Sequence, residues 1–269
     1  MYRFTLTGIL VLLLALPPGA QASEPGPLVS VDWLAEHRGD DDVVVLDIRN
    51  AIDGGTRETF EQGHVPGAVY SSYTGDGWRR KEDGVPGKLP PVADLEALIG
   101  SLGIGNDDTV VIVPAGVGST DFGSATRVYW TFRVLGHDRV TILNGGHRAW
   151  VEAGRELESG WNDPARARFE ADFRPELLAD TEEVQEAREA GVQLVDNRPA
   201  KQYRGEGKHP AARAAGTIPD AINLQQNELV GDGSAYLVTR ERLQDLVSEA
   251  GIDGDERSIT FCNTGHWAS

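Results

Sequence analysis

The chain has 269 residues, with 42 acidic and 25 basic side chains and a formal net charge of −17 at pH 7. This excess of negative charge argues against nucleic acid and anionic membrane surfaces as partners. The single cysteine excludes an intramolecular disulfide, and the sequence has neither a Cys-x-x-Cys motif nor a clustered His pair, so it gives no support to a metal site.

The first residues are typical of a secretory signal peptide. A short basic start precedes an apolar run at residues 9–16 that is too short to span a bilayer, and residues 20–22 fit the small-x-small cleavage rule. We predict a signal peptide over residues 1–22 and an exported, periplasmic protein that begins near Ser23. A non-cleaved anchor is the alternative. After cleavage no segment has transmembrane length, so we expect no membrane association.

The rest of the chain contains an internal repeat, in which four features recur in the same order. The paired segments are 43–49 with 193–198, 63–69 with 216–222, 95–104 with 243–252, and 109–113 with 258–261. Short runs rich in Val and Ile alternate with segments of helical period, which is typical of a mainly parallel sheet covered by helices. We predict an α/β protein with two homologous domains, residues 27–157 and 177–269, joined by a polar linker at 158–176.

The only cysteine, Cys262, directly follows the last apolar strand, residues 258–261. Ligands of parallel sheets bind beyond the carboxyl ends of the strands. The loop that Cys262 opens contains Gly265, which permits a positive φ, and successive N–H groups in such a loop stabilise a thiolate or the terminal sulfur of a persulfide. This context predicts a nucleophile. A buried apolar cysteine and an intermolecular disulfide are the alternatives that composition leaves open.

The order of these motifs resembles the tandem two-domain form of the rhodanese family: strand-Asp-x-Arg, Gly-His-x-Pro-Gly-Ala, then a strand that leads to a cysteine loop. Residues 145–154 are similar to the family's closing Gly-Gly-x-x-x-Trp-x-x-x-Gly signature. The resemblance covers essentially the whole mature chain. It implies a thiosulfate/3-mercaptopyruvate sulfurtransferase without a cofactor, in which Cys262 takes a sulfane sulfur from one of those small donors and passes it to cyanide or a thiol.

The residues around Cys262 leave the donor open. Asn263 and Thr264 are neutral where thiosulfate-using relatives usually carry cations, and Gln202 stands where they tend to have arginine. The loop also differs from the Cys-Gly-Ser/Ala-Gly-Val-Thr type of mercaptopyruvate-using relatives. The candidate substrate-binding residues are Asn263, Thr264, Gly265, His266, Trp267, Arg204 and Arg213.

For several of these candidates a simpler interpretation competes. Arg204 and Arg213 are also consistent with solvated surface residues. His266 is a candidate hydrogen-bond donor or acid-base group because a short loop leaves its side chains facing the thiol. Trp267 is expected either to wall the pocket or to pack in the core.

The Asp-x-Arg motif predicts structure in preference to catalysis. Asp196 and Arg198 recur as Asp47 and Arg49 in a domain without a thiol, so we interpret both pairs as ion pairs that anchor loops. In the first domain Pro114 occupies the position of the cysteine, and the glycine-rich loop lacks the Gly-Lys-Ser/Thr ending of a phosphate loop. The first domain is therefore expected to be a structural or docking partner of the second.

Two other functions are alternatives to sulfur transfer. A cysteine phosphatase or arsenate reductase needs an arginine six positions after the cysteine, where the chain has Ala268. A non-catalytic binding or sulfur-sensing module is the second alternative.

Since the chain ends at Ser269, where a helix after the cysteine loop is expected, comparison with the first domain predicts a sequence truncated by about 40 residues. We therefore expect an unstable second domain and little activity in the chain as given.

Overall fold

The computed structural model of the protein describes residues 25–231, 233 and 236–269. The predicted signal peptide lies outside the described residues. The strands are β1 Leu28–Val29, β2 Val43–Asp47, β3 Val69–Tyr70, β4 Arg80–Glu82, β5 Val85–Lys88, β6 Thr109–Val113, β7 Val140–Leu143, β8 Gln193–Asp196, β9 Ile222–Asn223 and β10 Ser258–Phe261. The helices are α1 Val31–His37, α2 Arg57–Gln62, α3 Val92–Ser101, α4 Ser119–Val134, α5 Gly146–Glu152, α6 Thr181–Glu189, α7 Ala200–Tyr203 and α8 Arg240–Glu249, with 3-10 turns at Pro175–Leu177 and Gln226–Glu228. None of the described helices is long and apolar enough to cross a membrane.

The first domain is built on a five-stranded sheet in the order β1-β7-β6-β2-β3, and every pairing in it is parallel. Successive side chains of β6 point to opposite faces. Val110 and Ile112 pack in a cluster with Phe132, whereas Val111 packs in a second cluster with Trp150. Both faces of the sheet are therefore covered, which explains why its strands read as continuous apolar runs.

An antiparallel hairpin of β4 and β5 extends from the first domain toward the second. Its turn contains Asp83 and Gly84, both with positive φ. On β5, a Cβ atom added at Gly87 would lie 2.5 Å from the carbonyl oxygen of Thr264. The hairpin thus meets the segment that follows β10 at backbone distance.

The segment predicted as a linker, residues 158–176, lies along the first domain. The Ala167 N–H donates to the carbonyl of Gly100 at 2.9 Å, and the Asp172 N–H donates to the carbonyl of Leu135 at 2.9 Å. Phe169 is buried in the same cluster as the helices of the first domain. These contacts hold the connection against the first domain by its backbone and by one aromatic side chain.

The second domain has a three-stranded parallel sheet in the order β10-β8-β9. Val195, Leu224 and Leu246 form its buried cluster. Two α/β units with parallel main sheets confirm the predicted fold class. The carboxyl end of β10, where Cys262 begins, lies at the same edge of this sheet as the end of β8.

Candidate active site

Cys262 lies one residue beyond the carboxyl end of β10. Phe261 is in register with Asp196 of β8, so the thiol projects from the edge of the sheet where both strands end. Its side chain is partly buried and forms no disulfide. The N–H of Trp267 donates to Sγ across 3.4 Å. The sulfur therefore has a backbone donor on one side and remains accessible on another.

The loop after Cys262 folds back onto its own strand. Gly265 has a φ of +65°, a left-handed conformation that favours glycine. The hydroxyl of Ser269 donates to the carbonyl of Gly265 at 2.5 Å, and the hydroxyl of Thr260 donates to the carbonyl of Ala268 at 2.6 Å. The loop closes over the carboxyl end of β10.

Two neutral residues singled out by the sequence meet beside the thiol. The side-chain amide of Asn263 donates to Oε1 of Gln202 at 3.0 Å, and both residues are partly buried. A pair of amides thus occupies positions at which thiosulfate-using relatives tend to have cations. Thr264, the other neutral residue noted after the cysteine, turns its carbonyl toward the first domain.

Arg127, on α4 of the first domain, holds the loop from the opposite side. Its Nη1 donates to the carbonyls of Thr264 at 3.3 Å and Gly265 at 2.9 Å, and its Nη2 donates to the carbonyl of Gly87 at 3.0 Å. The side chain is only 5% exposed. One guanidinium therefore joins α4, the β4–β5 hairpin and the cysteine loop.

His266 forms a second link between the domains. Its Nε2 lies 2.7 Å from the carbonyl of Thr120, and its Nδ1 lies 2.9 Å from the hydroxyl of Tyr73. Because a carbonyl only accepts, Nε2 carries the proton and Nδ1 accepts from the tyrosine. The sequence predicts a hydrogen-bond donor or acid-base group at this position. In the structure both ring nitrogens are bound by the first domain, so neither is left for a substrate.

The link through His266 is expected to make stability depend on pH. Burial lowers the pKa of His266 to about 4, and the positive charges of Arg79 and Arg127 act in the same direction. A histidine in an unfolded chain titrates near 6.5. Between these two pH values the unfolded state binds a proton that the native state does not. The contribution of neutral His266 to the free energy of unfolding is therefore fully present above pH 6.5 and is lost as the pH falls toward 4.

We expect this group alone to cost about 3 kcal/mol of unfolding free energy between pH 7 and pH 4. The measurement is chemical denaturation at several pH values for the wild type and for His266→Gln, which keeps a donor for Thr120 but does not titrate. Other titrating groups, such as Asp53 and His147, are common to both proteins. Parallel pH profiles of the two proteins would contradict the assignment.

The Asp-x-Arg motifs make equivalent ion pairs in the two domains. Asp196 is fully buried and accepts from Nε of Arg198 at 2.9 Å and from Nη2 at 2.6 Å. The same Nη2 donates to the carbonyl of Gly216 at 2.9 Å. Asp47 and Arg49 repeat the arrangement in the first domain. Each pair ties a strand end to the turn before the next strand, which is the geometry of a loop anchor.

The loop of the first domain that corresponds to the cysteine loop is occupied by a side chain of its own. Pro114 follows β6 as Cys262 follows β10. The buried carboxylate of Asp121, in the first turn of α4, accepts three backbone hydrogen bonds, from the N–H groups of Ala115 at 3.0 Å, Gly116 at 2.6 Å and Val117 at 3.0 Å. These three consecutive backbone donors of the loop are therefore already satisfied.

The remaining predicted residues lie apart from the loop or only pack against it. Arg204 is exposed and pairs with Glu206 at 2.7 Å, and Arg213 is exposed. Within the described part of the chain, neither makes a hydrogen bond or ion pair with residues 262–269, so a substrate contact for them stays a prediction. Trp267 is partly buried, with its ring centroid 6.3 Å from that of His266.

Sequence reasoning missed the residues that the first domain contributes, Tyr73, Gly87, Thr120 and Arg127. One of them had a detectable signal. Arg127 is three or four positions from Ser124 and Thr131, which lie on the buried face of α4. A charged residue in the core-facing phase of a helix needs a specific partner. The contacts of the other three depend on how the domains pack, which the local pattern does not encode.

Comparison with known proteins agrees with this architecture. The Rhodanese-like domain family matches residues 30–153 and 180–269. The chain is 30% identical over 243 residues to the 3-mercaptopyruvate sulfurtransferase of Escherichia coli K12, covering 88% of this chain and 84% of that protein. It is 35% identical over 251 residues to the thiosulfate sulfurtransferase of Bos taurus, covering 88% and 82%. The crystal structure of SseA from Escherichia coli superposes with a TM-score of 0.78 at 28% identity and 90% coverage of both chains. The chain therefore belongs to the rhodanese family and contains two rhodanese-like domains.

Proposed function

We propose that the protein is a sulfurtransferase in which Cys262 carries a sulfane sulfur from a small donor to a nucleophilic acceptor. The observation that carries this proposal is the position of the only thiol in the chain, at the carboxyl edge of the second sheet and in a loop that both domains hold. The names of the bovine and Escherichia coli relatives support the same reaction class.

The reaction divides into two halves that need no redox cofactor. The Cys262 thiolate attacks the outer sulfur of thiosulfate, or the thiol sulfur of 3-mercaptopyruvate. The S–S or C–S bond of the donor breaks, and its electron pair leaves with sulfite or with the enolate of pyruvate, which takes up a proton. Cys262 then carries a persulfide. An acceptor such as cyanide or a thiolate attacks the terminal sulfur, the S–S bond breaks, and the Cys262 thiolate is restored.

Two features of the site suit a persulfide carrier. The N–H of Trp267 donates to Sγ, and the guanidinium of Arg127 holds the Thr264 and Gly265 carbonyls of the same loop, so a hydrogen-bond donor and a positive charge are fixed around the loop that carries the thiolate or persulfide. The solitary cysteine also matters, because a second nearby thiol would attack the persulfide and form a disulfide. A single thiol allows the sulfur to leave only on an acceptor.

The direct test is to follow the mass of the intact protein. The purified full-length gene product is incubated with thiosulfate or with 3-mercaptopyruvate, freed of excess donor, and weighed before and after addition of cyanide. We expect one added sulfur that cyanide removes, and the effective donor is thereby identified. An adduct that cyanide and thiols leave in place favours a sulfur-binding module. The absence of an adduct with either donor contradicts the proposed reaction for these two compounds.

We also propose that the protein acts after export, on the basis of the signal-like residues 1–22. The measurement is the N-terminal sequence of the protein recovered from cell fractions. A periplasmic form that begins near Ser23 supports the proposal, and a cytoplasmic form that begins at Met1 contradicts it.

A further inference from the structure

Arg127 is a buried cation without a buried anion to balance it. It is 5% exposed, and within the described residues no carboxylate lies at ion-pair distance from it. Its guanidinium carbon lies 4.6 Å from the ring centroid of Trp130, and its Nε has no hydrogen-bond partner. Burying an arginine costs free energy unless its charge is paired and its donors are hydrogen-bonded, so the partners that Arg127 does have are informative. Its hydrogen bonds go to backbone carbonyls, two of them in the second domain and one in the β4–β5 hairpin.

These contacts fix the direction of two consecutive peptide groups beside Cys262. The carbonyls of Thr264 and Gly265 both point to Nη1. In a trans peptide the N–H points opposite to the carbonyl, so the N–H groups of Gly265 and His266 point away from the guanidinium. The following N–H, that of Trp267, donates to Sγ. Arg127 thus determines which backbone groups of the loop are free to face a sulfur anion.

The guanidinium is closely packed against the loop and the hairpin. A Cβ atom added at Gly265 would lie 2.3 Å from Nη1 of Arg127, and one added at Gly87 would lie 2.5 Å from the carbonyl oxygen of Thr264. The planar fork of arginine holds its donors to two separate backbone segments in a fixed geometry, which the single ammonium of lysine does not reproduce. Burial lowers the pKa of Arg127, while negative charge on Tyr73 and Cys262 acts in the opposite direction.

We propose that Arg127 of the first domain is a positioning residue for sulfur transfer. It keeps the Thr264 and Gly265 carbonyls bound to its guanidinium and places a permanent positive charge against the loop that Cys262 opens. The first domain then supplies part of the environment that stabilises the thiolate and the persulfide, although it has no cysteine of its own. This inference rests on the proposed function and assigns to the first domain a part in that reaction.

The test compares Arg127→Met and Arg127→Lys with the wild type in a single turnover with the effective donor. A loss of folded protein lowers the amplitude of persulfide formation, whereas a misplaced loop lowers its rate constant. We expect the rate constant of Arg127→Met to fall about 10²-fold, the size of effect seen when one fixed donor is removed from an anion site. We expect Arg127→Lys to be intermediate because it keeps the charge but loses the fork. The KM for the donor should change little, since both Nη atoms already bind protein carbonyls.

Two further measurements make the outcome decisive. Arg133→Met removes a partly exposed arginine of the same helix, paired with Asp138, and should behave as the wild type. In Arg127→Ala, guanidinium chloride below denaturing concentrations should restore part of the rate by filling the vacated site. A wild-type rate constant in Arg127→Met overturns the inference, and so does a folded Arg127→Ala that guanidinium does not rescue. If Arg127→Met does not fold, Arg127→Lys and the rescue experiment decide.

The rate at which iodoacetamide alkylates Cys262 at pH 7 separates this inference from the proposed function. Alkylation requires the thiolate but no sulfur donor. A wild-type protein that forms no persulfide contradicts the proposed function, and in that protein alkylation still tests Arg127. We expect slower alkylation in Arg127→Met than in the wild type and in Arg133→Met. Equal rates in the three proteins contradict a role for Arg127 in stabilising the thiolate.

Discussion

Replacement of Cys262 by serine is expected to abolish sulfur transfer and to leave the fold intact. Serine has nearly the same shape and can still accept from the N–H of Trp267, so the free energy of unfolding should change by less than about 1 kcal/mol. A serine hydroxyl is a weak nucleophile unless an adjacent base activates it, and the neighbouring His266 has both nitrogens bound elsewhere. The expected rate is that of the uncatalysed reaction.

The measurement is intact mass after incubation with the donor, together with the rate of thiocyanate formation from cyanide. Ser269→Ala provides a control in the same loop, because it removes a hydroxyl contact with Gly265 and retains the thiol. Since the chain has no other cysteine, a sulfur adduct on Cys262→Ser, or turnover above background, would rule out the mechanism. Unfolding of the variant would show instead that the thiol has a structural role.

The second large effect concerns Arg198. Its removal in Arg198→Met leaves the fully buried carboxylate of Asp196 without its cation, and losing one partner of a buried pair typically costs about 3–5 kcal/mol. Arg198 also bonds the carbonyl of Gly216, so the turn before β9 loses its anchor. We expect unfolding of the second domain at markedly lower denaturant, seen as increased hydrogen exchange in β8 and β10.

A matched control is available in the same domain. Arg188 pairs with Asp220 at 3.5 Å, and both side chains are exposed, so Arg188→Met should change stability by no more than about 1 kcal/mol. Combining Arg198→Met with Asp196→Asn removes the buried charge and should recover part of the loss. Equal effects of Arg198→Met and Arg188→Met would show that the motif does not anchor the fold.

The internal repeat made the architecture predictable from sequence. The apolar runs ending in Asp-x-Arg correspond to β2 and β8, and the next matched runs correspond to β6 and β10, which pair with them in parallel. Strand periodicity and the position of the loop after a strand are local properties of the sequence, so the placement of Cys262 at a sheet edge was predictable. The insertion of the Asp121 carboxylate into the loop after β6 was not predictable in this way. Its carboxylate meets its partners only when the turn before α4 has formed.

The candidate site was predicted only on one side. Asn263 and Gln202, noted for their neutral side chains, proved to be hydrogen-bonded neighbours. The opposite side comes from Tyr73 and Arg127, which lie 193 and 138 positions from their loop partners His266 and Gly265. Contacts at such separations depend on domain packing, and a single sequence carries no record of them.

The carboxylate of Asp121 occupies the place in the first domain's loop where a free anion would otherwise bind. Because it is covalently tethered next to the N–H groups of Ala115, Gly116 and Val117, it competes for them at an effective concentration that a dilute free anion does not reach. The side chain of Asp121 therefore blocks anion binding by the loop of the first domain. The first domain's loop should therefore not compete with the loop of Cys262 for an anionic ligand.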